Sequence, residues 1–304
     1  MLLSNMLLGF VDREDELKGI NDIYKSRGSD LFILYGRRRI GKTELIKKFI
    51  EDKPSFYFLA KKQNIELETE RLRKEYSETQ NVFIPEENNL ENTIKSIVDK
   101  QEENKFVFVI DEFPYWIEEN KGILTDIQHL WDEYLKEENI LLILMGSSVG
   151  TMETDILDYK SPLYGRRTSQ LQLKELPIKS MEEFFPNYSF EDILKTYGAI
   201  GTIPYYLKEF DSNLSFIENI ENTFLNKLNI LYEEAEILLR EELRKPNTYF
   251  NILKSILDGA TTLKEISNQT KVSITNLNKY LKVLIRLKII KKKYPIIEPP
   301  KQTN

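Results

Sequence analysis

Apolar residues in the first half of the chain come in short unbroken runs rather than in alternation. “LFILY” (31–35), “FYFLA” (56–60), “FVFVI” (106–110) and “ILLILM” (140–145) are bounded by polar residues and rich in β-formers. Such runs mark strands buried on both faces of a parallel sheet. Between them lie segments with apolar residues at helical spacing, such as “TELIKKFIED” and “KGILTDIQHLWDEYLKEE”. The alternation predicts an α/β fold in which helices cover both faces of a parallel sheet. A further strand, “SQLQLKEL” (169–176), is expected to complete the pattern before Pro177.

From Ile178 to about Lys245 the strand signal disappears. “SMEEFF”, “EDILKTYGAI”, “PYYLKEF” and “FIENIENTFLNKLNILYEEAEILLREELR” read as an all-α region, with Pro246-Asn247 as its break. Residues 249–294 read as three helices and the start of a hairpin. Ser273 is the expected N-cap of the third helix, whose Ile274, Leu277, Leu281, Leu284 and Leu287 fall on one face. The expected division is therefore 1–177, 178–246 and 247–304, the last piece stopping within its hairpin.

Composition narrows the chemistry. With 304 residues, 41% hydrophobic and 30% charged, the chain reads as globular, and its apolar runs are too short to span a bilayer. The N-terminal “MLLSNMLLGF” lacks a basic flank and a small-residue cleavage site, so it reads as a lead-in rather than a signal peptide. A cytoplasmic protein without membrane partners is expected. Cysteine is absent, which excludes disulfides and thiolate chemistry. The single histidine, His129, sits in a helical segment and supports neither a histidine metal cage nor a Ser-His-Asp triad.

Gly36-Arg37-Arg38-Arg39-Ile40-Gly41-Lys42-Thr43 fits G-x-x-x-x-G-K-[ST], directly after an apolar strand and at the head of an amphipathic helix that continues with Glu44. Glycines let backbone N–H groups turn toward phosphate oxygens, and the helix offers its positive end. Lys42 would reach the β- and γ-phosphates, and the Thr43 hydroxyl would ligate Mg²⁺. The loop arginines Arg37, Arg38 and Arg39 could contact phosphate or a neighbouring carboxylate, or stand in solvent.

A second strand end, “KFVFVIDEFPYW”, presents Asp111 for Mg²⁺ and Glu112 to polarise the attacking water. In “ILLILMGSSVG”, Ser147 or Ser148 would stand beside Asp111 if the two strands are neighbours, and could hydrogen-bond the γ-phosphate or the water. In “SPLYGRRTSQLQL”, Arg166 or Arg167 could stabilise transition-state charge, in its own chain or a neighbour's, or belong to a structural ion pair.

These motifs together resemble the archaeal ATPase family, in the AAA+/STAND branch of P-loop NTPases, over roughly residues 10–290. The likeness starts at “FVDREDELKGI”, where Arg13 lies in a box that in relatives packs near the adenine. It continues through the phosphate loop, “VFVIDEFPYW”, “LILMGSS”, “SPLYGRRTSQLQLKEL” and “YGAIGTIPYYL”. The last is similar to a Gly-Gly-x-Pro-x-Tyr-Leu element whose proline, here Pro204, lies by the base; Thr202 replaces its second glycine. The resemblance implies a P-loop NTPase core of AAA+ type, an all-α lid and a winged helix, with ATP and Mg²⁺ as ligands. It favours ATP over GTP, and none of the four Asn-Lys pairs is followed by the x-Asp of a guanine-reading motif. Many relatives continue into a nuclease-like region, but “YPIIEPPKQTN” holds no carboxylate-lysine cluster, so nuclease activity is not expected.

Net charge is −6, yet residues 249–304 hold 11 Lys+Arg against 3 Asp+Glu, a surplus of +8, which leaves −14 for residues 1–248. On the third helix of this basic tail, Thr275, Asn276, Asn278, Lys279 and Lys282 are expected to face outward, toward base edges and phosphates of double-stranded DNA. “KIIKKK”, with Lys291 and Lys292, would form the first strand of a wing. The functional expectation is an ATPase of slow turnover that acts as a nucleotide-dependent switch coupled to DNA. The alternative is a regulatory module that barely hydrolyses ATP and whose basic tail docks its own core, a second copy or a protein partner.

Overall fold

Five parallel strands build one sheet in the order β2-β3-β4-β1-β5: β1 (Asp30–Tyr35), β2 (Ser55–Leu59), β3 (Phe106–Asp111), β4 (Ile140–Gly146) and β5 (Ser169–Gln172). The computed structural model describes residues 10–87, 89–101, 104–243, 246–287 and 289–293. β1 and β4 pair in register from Asp30↔Leu141 to Tyr35↔Gly146, and β3 pairs with β4 from Phe106↔Ile140 to Ile110↔Leu144. These central strands are buried on both faces, which is why their sequences run apolar without alternation.

The sheet divides two cores. On one side Phe56, Phe58, Phe108 and Trp116 pack with α3 (Ile65–Gln80), α4 (Leu90–Val98), α5 (Pro114–Glu119) and α6 (Ile123–Glu133). On the other, Phe32, Leu34, Val107, Val109, Leu141 and Ile143 pack against α1 (Glu14–Tyr24) and α2 (Lys42–Ile50). After β4 come the short α7 (Val149–Thr151) and, past β5, α8 (Met181–Phe184), α9 (Phe190–Ile200), α10 (Pro204–Leu207) and α11 (Phe216–Asn222). The chain divides into two compact units, Met1–Thr223 and Phe224–Asn304. The second holds α12 (Glu234–Glu242), α13 (Pro246–Leu257), α14 (Leu263–Thr270) and α15 (Ile274–Arg286) around a core of Ile252, Ile266, Leu277, Leu284 and Leu287. No helix among the described residues is long and apolar enough to cross a membrane.

Several sequence expectations change. β5 ends at Gln172 rather than near 176: the Leu173 amide still donates to the Tyr35 carbonyl (2.7 Å), but the next carbonyl, Lys174, accepts from the Arg13 guanidinium (2.7 Å) instead of a strand. The helical run after Phe216 is broken between Asn222 and Ile230. There the Asn226 and Asn229 side chains accept from the Leu228 (3.0 Å) and Leu231 (2.9 Å) amides, local bonds that compete with helix. Pro246 stands at the expected break after α12 and itself opens α13, a position in the first helical turn where proline is tolerated.

Ser273 holds the N-cap position of α15 without a side-chain cap bond, and Ile274 is exposed rather than part of the buried face. The expected wing strand finds no strand in residues 289–293. The amides of Ile289 and Ile290 bond back to the Leu284 carbonyl (2.9 and 3.4 Å), so they close the end of α15 instead of joining a ladder. Lys288 and residues 294–304, where the rest of the hairpin was expected, lie outside the described residues.

Candidate nucleotide site

The loop between β1 and α2 is a narrow backbone turn. A Cβ on Gly36 would stand 2.5 Å from the Leu173 carbonyl oxygen, so only glycine passes there. Gly41, at φ +93°, is the left-handed residue that precedes α2. Lys42 is only 6% exposed, and its Nζ donates to the carbonyls of Gly36 (2.9 Å) and Arg37 (3.0 Å). The ammonium group is thereby folded over its own loop.

The three loop arginines reach three different elements. Arg37 pairs with Glu175 after β5 (3.2 Å), and Arg38 donates to the Tyr115 hydroxyl on α5 (3.3 Å). The Arg39 guanidinium lies 4.5 Å from the Tyr205 ring centroid and 5.9 Å from that of Tyr206, both on α10. Arg39 itself sits at φ +67°, where a side chain is strained. Ile40 is buried in the core beside α2, and its carbonyl accepts from Arg13 (3.3 Å).

Across the intervening β4, the Thr43 hydroxyl donates to Asp111 Oδ2 (3.0 Å). The Tyr57 hydroxyl of β2 donates to the same oxygen, and the Glu112 amide donates to Oδ1 (2.8 Å). Burial first, and then the Asp111 carboxylate, push the Tyr57 ionisation upward, so the phenol stays a donor. Glu112 turns at φ +54°, and its Oε2 accepts from the Ser147 hydroxyl (2.8 Å) and amide (3.3 Å). Ser148 instead shares a hydrogen with Thr151 (2.9 Å) and caps α7. Of the two serines, Ser147 is the one joined to the acidic strand end.

Arg166 forms a forked pair with Asp132 (2.9 Å from Nη2, 3.2 Å from Nε), and Arg167 stacks 4.5 Å over the Tyr164 ring while donating to the Leu157 carbonyl (3.3 Å). Among the described residues, neither makes a hydrogen bond or ion pair with the phosphate loop.

A cavity of about 360 Å³ adjoins the loop, walled by Phe10, Arg13, Ile40, Glu44, Phe184 and Pro204. Pro204 Cγ lies 4.0 Å from where a Gly41 Cβ would be. Buried Arg13 fixes this wall through Glu16 (2.7 Å), Ile40 and Lys174, and Asp12 accepts from Ser180 Oγ. A larger cavity of about 420 Å³ between α3 and α4 is lined by Glu66, Glu70, Glu86, Glu91 and Asp126. That wall of carboxylates repels a triphosphate, whereas the smaller cavity opens beside Lys42's loop. Phe10, Ile40, Phe184 and Pro204 offer apolar contact there beside a rim that carries Lys47, Lys48 and Lys208, a mixture and volume that suit a nucleotide's base and sugar. The hydroxyl–carboxylate pair Thr43–Asp111 is a hard oxygen set that suits Mg²⁺.

Sequence reasoning missed Tyr57, Phe10, Phe184 and Tyr205. Each reads from sequence as an ordinary apolar or aromatic position, and only strand pairing and the return of the chain past the sheet bring them to the loop.

In the second unit, Thr275, Asn276, Asn278, Lys279 and Lys282 are exposed along α15, and Lys291 and Lys292 are exposed beyond it.

Residues 10–210 match the model of an ATPase domain predominantly from Archaea. Uncharacterized protein MJECL04 of Methanocaldococcus jannaschii is 36% identical over 293 residues, which is 96% of this chain but 64% of that protein's length. In fold, the chain is similar to the Walker-type ATPase paby2304 of Pyrococcus abyssi (TM-score 0.70, 22% identity, 91% of this chain and 90% of that one). It is also similar to the ORC2 protein of Aeropyrum pernix in its ADP form (TM-score 0.52, 16% identity, 92% and 88% covered).

Proposed function

The chain belongs to the family of ATPase domains found predominantly in Archaea, and from that premise we propose that it binds Mg·ATP at Gly36–Thr43 and hydrolyses it slowly, as a switch. The observation that carries this reading is the Thr43–Asp111 hydrogen bond, which ties the head of α2 to the acidic end of β3. Lys42 would exchange its two loop carbonyls for phosphate oxygens, at little cost in geometry because it is already held there. Thr43 and Asp111 would hold Mg²⁺, which neutralises charge on the phosphates when bound. Glu112 would accept the proton of the attacking water as its oxygen bonds to the γ-phosphorus and the bond to the bridging oxygen breaks. Ser147 orients that carboxylate. The base would occupy the cavity between Phe10, Phe184 and Pro204, with Arg13 bracing its wall and Glu44 at its rim.

Arg37, Arg38 and Arg39 reach Glu175, Tyr115 and Tyr205, so in this reading they anchor the loop to other elements rather than contact phosphate. The Arg166–Asp132 pair favours low basal turnover, because that guanidinium is engaged away from the loop. Arg167 is retained as the second candidate for charge stabilisation. In the second unit, exposed Thr275, Asn276, Lys279, Lys282, Lys291 and Lys292, together with the +8 surplus of residues 249–304, favour contact with the phosphates of double-stranded DNA.

Nucleotide titration and phosphate release test the reading. Wild type should bind ATP and release phosphate; Lys42→Ala should bind at least about a hundredfold more weakly; Glu112→Gln should bind normally and release none. Wild type that fails to bind ATP, or Lys42→Ala that turns over at the wild-type rate, overturns it.

A further inference from the structure

Tyr57 has no place in the reaction described above, yet it touches the carboxylate on which the metal end of the site depends. It lies on β2 opposite Val109, two residues before Leu59 meets Asp111 in the same ladder, so Tyr57 and Asp111 project from one face of the sheet. Its hydroxyl and that of Thr43 converge on Asp111 Oδ2, while the Glu112 amide takes Oδ1. Asp111 is 3% exposed. Three donors thus hold both oxygens of a buried carboxylate, and of the two on Oδ2 Tyr57 is the one that belongs to the sheet rather than to the head of α2.

We propose that Tyr57 is a positioning residue for the magnesium end of the site, fixing the Asp111 carboxylate so that Thr43 gives Asp111 its hydrogen and keeps its lone pairs for the metal. This rests on the Mg·ATP reading of the same loop. The chemistry of a phenol suits the task better than a lysine or arginine would. It donates strongly to the carboxylate but adds no positive charge, so it orients Asp111 without repelling a divalent cation. The ring contributes separately: it packs at the edge of the core shared by Val109 and Met145, with Lys47 Nζ 6.0 Å from its centroid. Phenylalanine would keep that packing and lose only the donor.

The test uses the full chain with a non-hydrolysable ATP analogue and Mn²⁺ as the metal probe, free Mn²⁺ being read by electron paramagnetic resonance. Tyr57→Phe should raise the half-saturating Mn²⁺ concentration about tenfold, the scale of one hydrogen bond to a charged group. Analogue binding in EDTA should match wild type. In an Asp111→Asn background, Tyr57→Phe should add nothing, since the phenol acts through that carboxylate. Unchanged Mn²⁺ affinity in Tyr57→Phe, an equal loss of analogue binding in EDTA, or full additivity with Asp111→Asn overturns the assignment. Wild type that binds neither analogue nor Mn²⁺ overturns the Mg·ATP reading itself, and is distinguished by appearing before any substitution is made.

Discussion

The Ser147 hydroxyl donates to Glu112 Oε2 at 2.8 Å, joining the residues just beyond the ends of two neighbouring strands. Glu112 sits at φ +54°, so its side chain is aimed by an uncommon backbone conformation and held there by the hydroxyl and amide of one residue. Ser147→Ala removes the shorter of the two bonds and leaves the amide. A hydrogen bond to a charged group is worth roughly 1.5–3 kcal/mol, of which a part is retained by the amide. Phosphate release should therefore fall about tenfold with ATP affinity unchanged. A variant that turns over at the wild-type rate would remove Ser147 from the mechanism.

Arg39 and Tyr205 allow backbone strain and side-chain stacking to be separated. The residue is at φ +67°, which costs a non-glycine residue on the order of 1 kcal/mol, and its guanidinium lies over the Tyr205 ring, a contact worth about 0.5–1 kcal/mol or more. Arg39→Ala keeps the strain and loses the stack, so it should destabilise by about 1 kcal/mol or more. Arg39→Gly loses the stack and relieves the strain, so its midpoint in urea should lie above that of Arg39→Ala and close to wild type. Equal midpoints for the two variants would show that the loop is not strained at this position.

The central strands were legible because burial on both faces leaves no room for polar alternation, as “FVFVI” and “ILLILM” show. The phosphate loop was legible because its chemistry is local: eight consecutive residues carry the turn, the ammonium and the hydroxyl. What sequence could not yield depends on distant pairing. Arg166 faced two outcomes until the fold brought Asp132, 34 positions away, within 2.9 Å. Tyr57 looked like one more core aromatic until β2 was laid beside β3. The break after Asn222 was hidden by an apolar periodicity that continues through 216–243. There the asparagine side chains won locally over helix.

Glu68 illustrates an acid limit to stability. Its side chain is fully buried and accepts from the Lys61 amide (2.9 Å), Trp116 Nε1 (2.8 Å) and the Arg71 guanidinium (2.9 Å), tying the loop after β2 to α3 and α5. Burial alone would raise its ionisation, but the Arg71, Lys61 and Trp116 bonds outweigh that and hold it below the usual carboxylate value. Asp30, paired with Lys105 at 2.7 Å, is lowered likewise against the opposing effect of burial. For a depressed carboxylate the contribution is complete above the unfolded value, about pH 4, and is lost as pH falls through the folded one. Chemical denaturation should show Glu68→Gln less stable by about 3 kcal/mol at pH 7, since it leaves Arg71 without its buried partner. The gap from wild type should narrow below about pH 4 as Glu68 itself protonates. A gap that stays constant down to pH 3 would show that the carboxylate's charge contributes nothing.

The basic surplus of residues 249–304 makes a quantitative demand if it serves DNA. Each phosphate neutralised by a lysine releases condensed counterions, so the logarithm of affinity falls with the logarithm of salt by about 0.9 per contact on duplex DNA. Lys279 and Lys282 are both exposed, three residues apart on α15, close enough to follow one backbone. Replacing both with alanine should weaken binding to any duplex by a similar factor and lower the salt slope by about 2. Asn276, exposed nearer the start of the same helix, is the residue suited to a base edge; Asn276→Ala should leave the slope alone and reduce discrimination among sequences. These measurements also decide against the protein-docking alternative. A surface that docks protein gives no duplex binding even at low salt, and then neither substitution changes the duplex titration.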